Sequence, residues 1–159
     1  MKINIIAVGK IKEKYIRDGI KEFEKRLSRY CKLNIIELRD ERVPENLSEK
    51  EMELVKIKEG KQILAKIPQN SYIISLEIRG KEISSEILSQ KIEKLMISGS
   101  SSITFIIGGS LGLSEEVIKT SNYRLSFSKM TFPHQLIRLI LLEQIYRGFK
   151  IMKGEPYHK

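Results

Sequence analysis

The chain has 159 residues, 41% of them hydrophobic, which is enough to bury one sizeable core, so residues 1–159 are expected to form a single domain. Its lone cysteine, Cys31, excludes an intrachain disulfide and has no ligand-spaced Cys or His around it, so no metal site is expected and Cys31 reads as a half-buried small residue. No segment approaches the roughly 20 apolar residues of a membrane span, and the apolar run near the N-terminus is too short for a signal-peptide core, so a cytoplasmic protein without membrane attachment is expected.

The formal charge of +9 is unevenly spread. Residues 1–30 carry nine basic against four acidic side chains and residues 121–159 carry seven against two, while the segments between are balanced. If the two ends converge, they make a basic face suited to a phosphate backbone; read on charge alone, they are equally lysines scattered over solvated helices.

Taken in order, the first apolar run, Ile3–Val8, reads as a strand. Glu13–Tyr30 then sets Ile16, Ile20, Phe23 and Leu27 three and four residues apart, an amphipathic helix with basic outer faces. Leu33–Leu38 is a second strand, and the charged, proline-containing stretch 39–46 reads as a loop. Ser48-Glu-Lys-Glu gives a capping-box start to a helix that runs through Met52, Val55, Ile63 and Leu64 and ends before Pro68. A strand at Tyr72–Ile78, a helix from Ser84 to Ile97, a strand at Ile103–Ile107, a short helix from Ser114 and a strand at Tyr123–Phe127 follow. The last helix, from about Gln135 to Met152, is unlike the others. Leu136, Ile137, Leu139, Ile140, Leu141 and Leu142 point almost all round its axis, so it is expected to pack on its own sheet and on a second subunit. Strands alternating with helices predict an α/β fold, a mostly parallel sheet with helices on both faces.

Three places can carry chemistry. IIGGSLGLSEE runs from a strand through a glycine-rich turn into a helix, and Gly108, Gly109 and Gly112 allow a ligand to approach the backbone closely. The spacing is not that of a dinucleotide or P-loop motif, and Glu115 and Glu116 already satisfy the helix dipole, so a neutral or cationic ligand suits it better than a phosphate; a plain turn is the other reading. SFSKMTFPHQLIR joins the last strand to the last helix, with Pro133 at the helix start. His134 and Arg138, four residues apart, share one face of this apolar element, where polar groups need partners or a purpose. A hydrogen-bonded structural histidine and an intersubunit Arg138–Glu143 ion pair are the alternatives. The terminal GEPYHK offers Tyr157, His158 and Lys159, a ring and cations able to stack on a base and hold a phosphate.

Together IGGSLG, SFSKMTFPHQLIR, LLEQIYRGFKI and the terminal PYHK closely resemble the RlmH family of SPOUT-class methyltransferases, and INIIAVGK and SLEIRGKEISSE resemble its first and third strand regions. The resemblance spans the chain, residues 40–66 being least diagnostic. It implies a SPOUT-type trefoil-knotted fold, a homodimer, and S-adenosyl-L-methionine-dependent methylation of N3 of a pseudouridine in 23S ribosomal RNA, on assembled ribosomes. Carried over by position, it assigns the cofactor to Leu76, Gly108, Phe127, Ser128, Lys129, Met130, Thr131 and Phe132, mostly through backbone groups. On that assignment His134 is the candidate base, Arg138 stabilises charge on the target ring, and Arg138, Tyr157 and His158 grip RNA. Gly148 departs from the pattern, alanine being commoner there. The rival readings are a noncatalytic rRNA-binding protein and an α/β nucleotide-binding regulator.

Overall fold

A computed structural model describes residues 1–41 and 43–159. Five strands, β1 (Lys2–Val8), β2 (Lys32–Leu38), β3 (Tyr72–Glu82), β4 (Ser102–Ile107) and β5 (Tyr123–Ser126), form one sheet in the order β2-β1-β4-β3-β5, and every pairing is parallel. Five helices, α1 (Lys14–Leu27), α2 (Glu49–Lys66), α3 (Ser85–Ile97), α4 (Glu115–Thr120) and α5 (His134–Met152), connect and cover them. Within the 39–46 stretch between β2 and α2, Arg42 lies outside the described residues.

Alternation along the strands builds two cores, one on each face of the sheet. Ile3, Ile5 and Ala7 of β1, with Ile103, Phe105 and Ile107 of β4, turn to the face covered by α1, α3 and α5. Ile6, Val8 and Ile106 turn to the opposite face, where Ile63 of α2 and Val117 of α4 close over them. The expected capping box is present, the Ser48 hydroxyl accepting from the Glu51 amide while Glu51 reaches back to the Ser48 amide. Cys31 is half-buried, and burial pushes its thiol up to about 11.

Two features bear on the site below. Between β3 and β5 the register slips, so that Leu76 and Lys81 both face Leu125, and the intervening residues 77–80 bulge out of the ladder. The second feature is the position of α5. It lies between α1 and α3, with Leu141, Leu142, Ile145 and Phe149 fully buried, whereas Leu136, Ile137, Leu139 and Ile140 are only half-buried within the chain.

Gly148 sits in α5 where it crosses α3, and its carbonyl accepts a 2.8 Å hydrogen bond from the Ser89 hydroxyl. A methyl group there would meet Ser89 Cα at 3.6 Å, ordinary van der Waals contact. Gly148→Ala is therefore expected to stabilise the protein by about 0.5–1 kcal/mol through helix propensity, read as a higher urea midpoint at unchanged m-value.

Candidate active site

In an open parallel sheet, ligands bind beyond the carboxyl ends of the strands, at the point where successive connections leave in opposite directions. Here that point lies between β1, whose connection runs to β2 on one side, and β4, whose connection runs to β5 on the other. A cleft of about 150 Å³ opens beside it, walled by β3, β4 and β5, the loop that follows β5, and the first turn of α5.

Of the residues singled out from the sequence, Leu76, Gly108, Phe127, Ser128, Met130, Thr131, Phe132 and His134 all line this cleft, although they come from three separate parts of the chain. Lys129 belongs to the same loop but its side chain is exposed and does not line the cleft. The loop holds its shape by short turn bonds. The Ser126 hydroxyl donates to the Ser128 carbonyl at 3.0 Å, and the Met130 amide donates to Ser128 Oγ at 3.0 Å. Gly108 is required by close approach, since a Cβ there would lie 2.9 Å from the Gly112 carbonyl carbon.

Gly109 and Gly112 of the glycine turn line the cleft as well, and so does Glu77, which pattern reading passed over. Glu77 enters through the β3 bulge. Its Oε2 is buried without a hydrogen-bond partner among the described residues, the Arg124 guanidinium standing 3.7 Å away. Its adjacency to Leu76 was a signal; the bulge that turns it into the cleft was not legible. Across the glycine turn, Glu59 of α2 lies beside Gly109 and accepts the Glu41 amide at 3.1 Å, and burial pushes its carboxyl above the usual range.

His134 stands at the cleft's inner end against Gly9. A Cβ on Gly9 would come within 3.3 Å of His134 Nε2, and Gly9 has φ +98°, so glycine is needed there for both space and conformation. Burial lowers the His134 pKa below the ordinary 6.5, the Arg138 charge lowers it further, Asp40 opposes and Lys12 adds to the lowering. The imidazole is therefore neutral at pH 7.

Arg138 does not line the cleft. Its guanidinium is 1% exposed, donating from Nη1 to Glu37 Oε2 at 2.5 Å and from Nη2 to the Gly9 carbonyl at 2.8 Å. Within the chain, Glu143 pairs with Arg147, one turn along α5.

The terminal residues fold back onto α5 and α3. Tyr157 donates to Glu143 at 3.1 Å and packs edge-on against Tyr146, with the Arg147 guanidinium 4.7 Å from its ring centroid. His158 bridges Arg147 at 3.1 Å and Glu86 at 2.7 Å. Glu143 lies nine residues beyond His134 along α5, which at about 1.5 Å per residue separates this cluster from the cleft's histidine by about 13 Å. Within one chain, then, Tyr157 and His158 are not brought to the cleft. The two basic ends of the sequence do converge, because α1 packs along α5; Arg26, for example, lies 5.5 Å from the Tyr146 ring centroid.

This cleft belongs to a chain whose residues 1–158 match the family model described as "Predicted SPOUT methyltransferase". The chain belongs to the SPOUT methyltransferase family. Within it, it is similar to proteins named "Ribosomal RNA large subunit methyltransferase H", at 65% identity for that of Clostridioides difficile and 61% for one of Clostridium perfringens, each across 100% of both chains. These relatives place it with the RlmH branch of SPOUT enzymes. A solved structure, "a probable methylase family protein" from Haemophilus influenzae, superimposes with a TM-score of 0.55 at 13% identity over 99% of this chain and 70% of its own, a likeness of fold alone.

Behind the SPOUT cleft, the Arg138–Glu37 contact joins residues 101 apart in sequence. Glu37 is 43% exposed, so water can in part replace its carboxylate; Glu37→Ala is expected to destabilise the fold by about 1–2 kcal/mol, whereas the double variant Glu37→Met/Arg138→Leu recovers most of that loss. Urea unfolding of the three proteins checks both statements, and equal midpoints for Glu37→Ala and wild type would refute the first.

Proposed function

We propose that the chain transfers a methyl group from S-adenosylmethionine to N3 of a pseudouridine in 23S ribosomal RNA, on assembled ribosomes in the cytoplasm, as a homodimer of single-domain, knotted subunits. The observation that carries this reading is the convergence of Leu76, Gly108 and the Phe127–Phe132 loop on one cleft, in a chain similar over its full length to enzymes named for large-subunit rRNA methylation.

The cleft suits that cofactor. Main-chain groups of the 127–132 loop and the close-packed turn at Gly108 can read an adenine edge, while Leu76, Phe127 and Phe132 enclose apolar portions. Lys129 contributes through its main chain alone on this reading. Glu77, whose Oε2 makes no hydrogen bond among the described residues and has the Arg124 guanidinium 3.7 Å away, gives a polar partner for a hydroxyl or cationic group of the ligand. No phosphate-binding lysine is needed for a ligand without phosphate. When bound, the cofactor supplies a methyl group on a sulfonium centre.

The protein's own task is to orient the target base and take up the N3 proton as the new bond forms. His134, neutral and lining the cleft, is the acceptor we assign. Arg138 acts on this reading as a positioning residue, because both its terminal nitrogens are already engaged; it holds Gly9, and through Gly9 the histidine. Tyr157 and His158 grip RNA at the partner's cleft, and the half-buried Leu136, Ile137, Leu139 and Ile140 supply the subunit interface.

Calorimetry with S-adenosylmethionine or S-adenosylhomocysteine is expected to give saturable one-site binding that neither ATP nor NAD competes for. A noncatalytic RNA-binding protein would give none. Loss of a single methyl group from pseudouridine in rRNA of a deletion strain, read by mass spectrometry, tests the reaction itself.

His134→Ala is expected to lower the single-turnover rate by about 10²-fold or more with cofactor binding intact. Because the neutral imidazole is the active form and its pKa lies below the ordinary value, wild-type kcat/KM is expected to hold above pH 6.5 and to fall only as pH drops through the lowered pKa. An unchanged rate in His134→Ala, or an acid limb centred above pH 6.5, would remove the assignment.

A further inference from the structure

The loop between β1 and α1, residues 9–13, has its backbone tied down from several directions. The Gly9 amide donates to the Leu38 carbonyl at 2.7 Å, and the Gly9 carbonyl accepts from Arg138 at 2.8 Å. The Ile11 side chain is buried in the core. The Lys12 amide donates to Gln135 Oε1 at 3.0 Å, and Arg17 Nη1 reaches the Ile11 and Lys12 carbonyls at 3.4 and 3.3 Å. Gln135 is the neighbour of His134, so the loop is clamped to the rim of the cleft.

The two lysines carried by this fixed backbone are exposed, and among the described residues neither has a carboxylate partner. Lys14, one turn on, is by contrast paired with Asp18 at 2.6 Å. Lys12 is held at the rim of the cleft, its amide bonded to Gln135, the residue after His134. Rigid main chain, unpaired cations and adjacency to the proton acceptor are the properties of an element that positions a phosphate backbone for chemistry on a base.

We propose that residues 9–12 are a preorganised phosphate dock, in which Lys10 and Lys12 hold the RNA strand flanking the nucleotide presented to the cleft. The proposal rests on the rRNA methyltransferase reading. It differs from general basic attraction in naming two cations whose backbone the fold has immobilised, and it gives the buried Arg138 a further role, as one of the groups that immobilise it.

The test is the double variant Lys10→Gln/Lys12→Gln, with Lys10→Arg/Lys12→Arg as the conservative rescue and Lys94→Gln, in the last turn of α3 at the far end of the sheet, as control. Binding to ribosomes by cosedimentation and methylation kinetics are measured across a salt series, with S-adenosylmethionine affinity by calorimetry. The Gln variant is expected to weaken ribosome binding and raise KM about tenfold, and to make the slope of log K against log salt shallower by about 0.7–0.9 per lysine. Cofactor affinity stays at the wild-type value, the Arg variant retains binding, and Lys94→Gln matches wild type. An unchanged salt slope, an equal loss in Lys94→Gln, or a parallel loss of cofactor affinity would overturn the dock. Failure of the wild-type protein to methylate would instead sink the enzymatic reading, while the binding slope would still judge the dock.

Discussion

The arrangement at the cleft depends on one buried guanidinium. Arg138 sits in the first turns of α5 among leucines and isoleucines, and a charge so enclosed persists only where hydrogen bonds offset its desolvation; its Nε has no partner among the described residues, so the two terminal nitrogens carry that load. Glu37 meets it from the end of β2 and the Gly9 carbonyl from the end of β1. That single side chain therefore brings the two adjacent strand ends and the last helix to one point. His134, one turn earlier on the same helix, is thereby set against Gly9 and inside the cleft, and the same contact fixes the loop that carries Lys10 and Lys12.

The wall opposite is made mostly of main chain. The glycine turn packs so closely on itself that side chains are excluded at Gly108, and the loop after β5 keeps its form through serine hydroxyls bonded two residues away. A site of this kind needs few distinctive side chains, which is why none of the familiar phosphate motifs is found in the sequence. A half-buried carboxylate lining it, Glu77, arrives through a register slip in the sheet, and bulges of this sort commonly re-aim a residue beside a ligand.

The half-buried first turns of α5 and the fully buried later ones divide the helix between two tasks. Leu141, Leu142, Ile145 and Phe149 complete the core shared with α1 and α3. Leu136, Ile137, Leu139 and Ile140 retain apolar surface next to the cleft, the surface that the proposed homodimer would cover.

Much of this was readable along the chain, because it rests on local regularities. The period-two and period-3.6 spacing of isoleucine and leucine marks each strand and helix within a few residues. The all-round apolar helix, the Ser48 capping box and the glycine turn likewise declare themselves from near neighbours. What needed the tertiary structure was partnership over long separations. Nothing near Arg138 indicates that its counter-charge lies 101 residues away on β2, and Glu143 of another subunit was an equally open reading. The fold-back of Tyr157 and His158 onto Arg147 and Glu86, and the slip that admits Glu77 to the cleft, depend on which surfaces meet once the sheet is assembled. Periodicity states which face of an element is buried; only the packed molecule decides what that face is buried against.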